Sequence, residues 1–265
     1  MTKPVPKAVT LVTEDGVPID AVHVPGDSRL AFVVAHGFTL CWCQQASWEV
    51  VQRLSRHGGV VAFDFRGHGR SGGESTLGDK EVEDLDVAIR YARELGYQRI
   101  VTIGFSMGAS IVLRNEGLVG GVDAVVSVSG PGRWYYRGTL AMRKVHWAVE
   151  RRLGRLIART FLHTRISHGR WDPVPVPPAD AAARISPTPL LIVHGDRDEY
   201  FPVDHAEQLF EAAHQPKELW IVPGFGHAET AAPATLIDRI AHWAQTAGLT
   251  GVPAEVPTIA PDVMA

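Results

Sequence analysis

The chain has almost no cysteine: Cys41 and Cys43 are the only two among 265 residues. They stand one residue apart, a poor geometry for a bridge, so no disulfide framework follows. Long apolar runs are also missing. No window approaches the roughly 18 apolar residues of a membrane span. The first seven residues, Met-Thr-Lys-Pro-Val-Pro-Lys, hold no apolar stretch of signal-peptide length. These gaps lead us to expect a cytoplasmic protein with no stable membrane insertion. Nor is there an excess of positive charge: 26 Lys and Arg stand against 29 Asp and Glu, a net charge of −3. That removes any global signature of nucleic-acid binding. No group of Cys, His and Asp has metal-ligand spacing, so no metal and no cofactor is expected. The glycine-rich stretch Gly67 to Gly73 lacks the Gly-Lys-Ser/Thr ending of a phosphate loop.

What is present is an apolar fraction of 45% and a charged fraction of 21%, the balance of a globular protein, in a chain long enough for one large domain. Ala8–Val12 and Ile19–Val24 flank the turn Glu14-Asp15-Gly16 and predict a hairpin. Short apolar runs then recur at Leu30–Ala35, Val60–Phe63, Ile100–Ile103, Asp123–Val128, Leu190–Val193 and Glu218–Val222. Their hydrophobicity is continuous rather than alternating, which suits strands covered on both faces. Helical spacing separates several of them, at Trp48–His57, Glu81–Leu95 and Thr230–Ala247. The fold class is therefore α/β, with a mostly parallel central sheet and helices on both faces. In such sheets sites gather beyond the carboxyl ends of the strands.

Two segments break the rhythm. Residues 132–185 separate two strands by far more than a loop needs, and are expected to be an inserted helical cap between core segments 1–131 and 186–248. Within the cap, Gly138–Leu162 places Val145, Val149, Leu153, Leu156 and Thr160 on one side and Arg151, Arg152, Arg155 and Arg159 on the other. From Arg133 to Arg170 stand nine Arg and one Lys against Glu150 alone. That basic surface suits pairing with acids of the core, or attraction of anionic substrates. Residues 249–265 are proline-rich and expected to be a flexible tail.

The chain is organised around Ile100 to Ser110, where an apolar strand runs into Gly104-Phe105-Ser106-Met107-Gly108 and then into a helix-compatible run. Glycine on either side of the serine leaves room for a sharp strand-to-helix turn, with the serine hydroxyl at its tip and the helix N-terminus behind it. A serine of ordinary pKa needs a base, and the base needs a partner to fix its tautomer. Downstream, one strand runs into His194-Gly195-Asp196-Arg197-Asp198 and the last into Gly226-His227.

Four motifs in this order resemble the α/β-hydrolase superfamily of serine esterases and lipases: His36-Gly37-Phe38, Asp64-Phe65-Arg66-Gly67-His68-Gly69-Arg70-Ser71, Gly104 to Gly108, and His194 to Pro202 followed by Gly226-His227. The resemblance spans about Ala8 to Ala247. It implies the α/β-hydrolase fold, with Ser106 as nucleophile, His227 as general base and Asp198, rather than Asp196, as the orienting acid. The oxyanion hole is then the backbone N–H groups of Phe38 and Met107. Leu40, Trp42, Trp134, Tyr135 and Trp147 are candidates to line the substrate pocket, with core packing the competing role for the residues after Phe38. Asp196 and Glu199 read as loop-ordering or solvated charges, and His36 as a packing residue beneath the oxyanion loop. A serine at the elbow implies acyl transfer. The expected activity is that of a cofactor-independent carboxylesterase acting on small-molecule esters of small to medium acyl groups. The alternatives are a thioesterase or carbon–carbon bond hydrolase, a non-catalytic binder, and a lipase whose cap docks on lipid. The oligomeric state is left open.

Overall fold

A computed structural model describes residues 5–26 and 29–247. The flexible tail expected at 249–265 lies outside the described residues. Eight strands form one sheet: β1 (Lys7–Val12), β2 (Pro18–Val24), β3 (Leu30–Ala35), β4 (Gly59–Phe63), β5 (Arg99–Phe105), β6 (Ala124–Val128), β7 (Leu190–Gly195) and β8 (Lys217–Val222). Their spatial order is β1-β2-β4-β3-β5-β6-β7-β8. The first two pair as the expected hairpin, and β2 joins β4 antiparallel. Every later pairing is parallel.

Continuous hydrophobicity in the strands follows from two covered faces. In β3, Ala31, Val33 and Ala35 point into one core, and Leu30, Phe32 and Val34 into the other. In β4, Val61 and Phe63 divide from Val60 and Ala62 in the same way. The first core is closed by α2 (Glu81–Glu94), α3 (Met107–Leu118), α6 (Pro178–Ala182) and α7 (Asp204–Ala212), through Leu85, Ile111, Ala179 and Leu209. The second is closed by α1 (Gln45–Leu54), α8 (Ala228–Ala231) and α9 (Ala234–Thr246), through Leu54, Ala228 and Ile240. This is the α/β-hydrolase fold.

Three expectations change on inspection. The single helix over Thr230–Ala247 is two, because Pro233 has no N–H to continue a ladder and stands as the N-cap of α9. Helix α7 was not expected between β7 and β8. The stretch Gly138–Leu162 is also two helices, α4 (Leu140–Glu150) and α5 (Arg152–Phe161), broken at an extended Arg151. They pack tightly: a Cβ on Gly154 would stand 2.5 Å from the Ala148 Cα. Breaking the helix resets its phase. On α5 the buried positions are Gly154 and Ala158, and Leu153 and Leu156 of the apolar side face solvent.

The segment carrying α4 and α5 is tied down at its ends. Thr139 caps α4 by accepting the Met142 N–H, and its hydroxyl donates to the Tyr200 carbonyl (2.9 Å). On the return, Ile166 bridges Ser75, and buried Arg114 donates from Nε to the Val176 carbonyl (3.1 Å). The end of the 132–185 segment rejoins the main body, where α6 packs against α3 and α7.

Candidate active site

Ser106 stands between β5 and α3 at φ +50° and ψ −110°, a backbone conformation costly for any residue with a side chain. The flanking glycines make the turn possible. A Cβ on Gly104 would stand 2.2 Å from the Gly108 carbonyl oxygen, and one on Gly108 2.2 Å from that of Ala35. No other residue fits either place without moving the β5–α3 turn or its contact with β3. The Ser106 N–H is held by the Val128 carbonyl (2.9 Å), which leaves the hydroxyl at the tip.

That hydroxyl lies 2.8 Å from His227 Nε2. On the far side of the ring, Nδ1 lies 2.7 Å from Asp198 Oδ2. The carboxylate accepts a hydrogen bond from Nδ1–H, which leaves Nε2 as the acceptor for Ser106 Oγ–H. The Asp198 side chain is fully buried, and its other oxygen accepts the N–H groups of Tyr200 (2.8 Å) and Phe201 (3.0 Å). The ring of Tyr200 stacks on His227 with centroids 4.2 Å apart. Asp196 faces elsewhere: its carboxylate accepts the Gly224 N–H (2.7 Å) and orders the loop after β8.

The loop after β3 lies beside the serine. His36 is buried, and its two nitrogens have opposite duties: Nε2 accepts the Phe65 N–H (3.0 Å) and Nδ1–H donates to the Gly37 carbonyl (2.7 Å). Burial, with His68 nearby, depresses its pKa to about 3, so the ring is neutral. Asp64 braces the same region by accepting the N–H of Trp42 (2.7 Å) and of Arg70 (3.1 Å). The backbone N–H groups of Phe38 and Met107 donate to no acceptor among the described residues.

One residue escaped the sequence reading. Glu229, two positions after His227, is buried against this loop, and its Oε1 accepts the Gly37 N–H (2.7 Å). Its Oε2 is buried without a hydrogen-bond partner. Burial raises its pKa above the ordinary carboxylate value. Adjacency to the motif histidine was the available signal, but a carboxylate so close to a loop start reads as solvated until its burial is known.

The five pocket candidates have different partners. Trp42 anchors its indole N–H on Asp20 (2.8 Å) and packs with Trp48 against the second core. Trp134 donates to the Pro175 carbonyl (2.9 Å) and, with Tyr135, surrounds Trp171 at the base of the cap. Trp147 is half exposed on α4, and Leu40 is part-buried after the His36 loop.

Comparison with known proteins agrees with this architecture. A family model described as the alpha/beta hydrolase family matches residues 32–239. A monoacylglycerol lipase of Mycolicibacterium smegmatis is 29% identical over 258 residues, covering 82% of this chain and 88% of that one. An uncharacterized protein of Escherichia coli O157:H7, YfhR, is 26% identical over 235 residues, covering 84% of this chain and 74% of its own. Among solved structures, an esterase of Pyrococcus furiosus superposes with a TM-score of 0.74 at 27% identity, covering 92% of each chain. With the elbow, the doubly covered sheet and a family match over most of its length, this chain belongs to the alpha/beta hydrolase family.

Proposed function

We propose that the protein is a serine-dependent carboxylesterase that cleaves small to medium acyl esters through an acyl-enzyme. The observation that carries this reading is the unbroken relay Ser106 Oγ–His227 Nε2–His227 Nδ1–Asp198 Oδ2, with steps of 2.8 and 2.7 Å. In it, Ser106 Oγ attacks the ester carbonyl while His227 Nε2 takes its proton. Asp198 holds the ring in the Nδ1–H tautomer and stabilises the imidazolium that forms. The carbonyl oxygen, now an oxyanion, is received by the free N–H groups of Phe38 and Met107, the latter at the positive end of α3. His227 then protonates the departing alcohol. Water, activated by the same base, releases the acid and restores Ser106.

Glu229 is a positioning residue in this scheme. It holds the Gly37 N–H, and so fixes where the next N–H, that of Phe38, points. The likeness to a monoacylglycerol lipase adds glycerol esters to the substrates to be tried, beside acyl-CoA and vinylogous diketones for the thioester and carbon–carbon alternatives. On an activated ester, Ser106→Ala is expected to lower kcat by about 10⁴-fold or more with the fold retained. Near-normal turnover in that variant removes the mechanism.

A further inference from the structure

The cap presents a surface that the chemistry of Ser106 does not use. Along α5, Leu153, Leu156, Ile157 and Phe161 follow the i, i+3, i+4, i+8 spacing of one helix face. None is buried: Leu153 and Leu156 are 59% exposed and Phe161 74%. Gly154 and Ala158 face inward, and Arg152 and Arg159 are exposed on another side, whereas Arg155 is half-buried and donates from Nη1 to the Val149 carbonyl of α4 (2.8 Å). No residue of α4 is buried, and Leu140 and Trp147 on it are also exposed. A helix with Leu and Phe on one face and Arg on another, of modest overall hydrophobicity, has the composition of one that lies in a lipid–water interface.

Charge decides between occupants. Of the cap's basic residues, Arg133 reaches Asp204 (2.8 Å) and Arg137 pairs with Glu150. Among the described residues, Arg143, Lys144, Arg151, Arg152, Arg155 and Arg159 pair with no carboxylate. Two copies meeting cap to cap would set these cations against each other. An anionic lipid surface would neutralise them while covering the leucines and Phe161. The cap is also joined to the candidate site: Thr139, the N-cap of α4, donates to the carbonyl of Tyr200, whose ring stacks on His227.

We infer that the α4–α5 hairpin docks peripherally on anionic bilayer surfaces, with Leu153, Leu156 and Phe161 entering the interface and the exposed Arg151, Arg152 and Arg159 contacting lipid phosphates. Docking is a property of the cap and is measured without turnover, so it stands or falls separately from the acyl-transfer reading.

The test is vesicle sedimentation of the full chain carrying Ser106→Ala. Vesicles of phosphatidylcholine alone are compared with vesicles containing phosphatidylglycerol, at low and high salt. The expected result is binding to the phosphatidylglycerol vesicles that weakens with salt, with little binding to phosphatidylcholine. Joint replacement of Leu153, Leu156 and Phe161 by Ser should lower the partition about tenfold or more, and Arg151, Arg152 and Arg159 to Gln should weaken both binding and its salt dependence. The same surface changes in a chain with Ser106 intact should leave turnover of a water-soluble ester unchanged, which also reports correct folding. If the triple-Ser chain does not fold, Leu156→Ala alone serves, with a smaller loss. The inference is overturned if the parent does not sediment with phosphatidylglycerol vesicles, or if the serine variants sediment as well as the parent does. It is also overturned if the triple-Ser change abolishes a dimer in solution while vesicle binding is absent.

Discussion

The β5–α3 elbow and the α4–α5 hairpin are both strand-to-strand connections of one sheet, yet they are built on opposite principles. At the elbow, a strained Ser106 is over-determined by its surroundings: two backbone-to-backbone approaches that only glycine allows, and a ladder bond to Val128. At the hairpin, Gly154 and Ala158 are the buried residues of α5, none of α4 is, and large apolar side chains face outward. One region holds atoms to within a hydrogen bond. The other offers a surface and takes its place from its ends. Chemistry that needs a fixed geometry belongs to the first, and recognition of something large and fluid to the second.

That contrast is most easily broken at the relay. Asp198→Asn should cost about 10⁴-fold in kcat, because it favours the wrong tautomer of His227, whereas Asp196→Asn should cost less than about tenfold. A larger loss at Asp196 would exchange their roles. Acid should act next most strongly, and on the elbow side. His36 is held to a pKa of about 3, and His68 and His205 to about 4, chiefly by burial. Each takes up a proton more readily unfolded, at the ordinary value near 6.5. The stability they confer is therefore whole above about pH 6.5 and is lost as the pH falls toward 4 and then 3. Thermal unfolding followed from pH 7 to pH 4 should show a continuous fall in Tm; a flat profile contradicts the neutral, buried rings.

Gly108→Ala sharpens the comparison further. Its Cβ would meet the Ala35 carbonyl, and the expected loss is about 3 kcal/mol in urea unfolding. Glu229→Gln, which keeps a side-chain oxygen to accept the Gly37 N–H, should turn over nearly as fast as the parent, while Glu229→Ala should lose about tenfold in kcat with little change in KM. Equal rates in both variants would deny Glu229 its positioning role. The smallest effect belongs to the hairpin: Phe161→Ser should change stability by no more than about 0.5 kcal/mol, as befits an exposed residue.

The difference between the regions also explains what could be read in the sequence. The sheet was legible because a strand covered on both faces has no alternative to continuous apolar character, as in Leu-Ala-Phe-Val-Val-Ala of β3. Ser106 and His227 could be placed at strand ends, in order, because glycines and strand boundaries mark those positions, whereas the choice of Asp198 over Asp196 rested on the family resemblance. Glu229 was hidden because nothing local distinguishes a buried carboxylate from a solvated one. The pocket candidates scattered because a tryptophan's fate depends on distant partners: Asp20 for Trp42, Pro175 for Trp134. The division into α4 and α5 went unread because the break at Arg151 carries no proline or glycine to announce it.

The most direct test of the central claim is covalent. Incubated with a fluorophosphonate probe and digested for mass spectrometry, the folded protein should carry the adduct on Ser106 alone, at a rate that collapses in His227→Ala. A folded protein that takes no label, or one that labels at another residue or equally fast without His227, would contradict it.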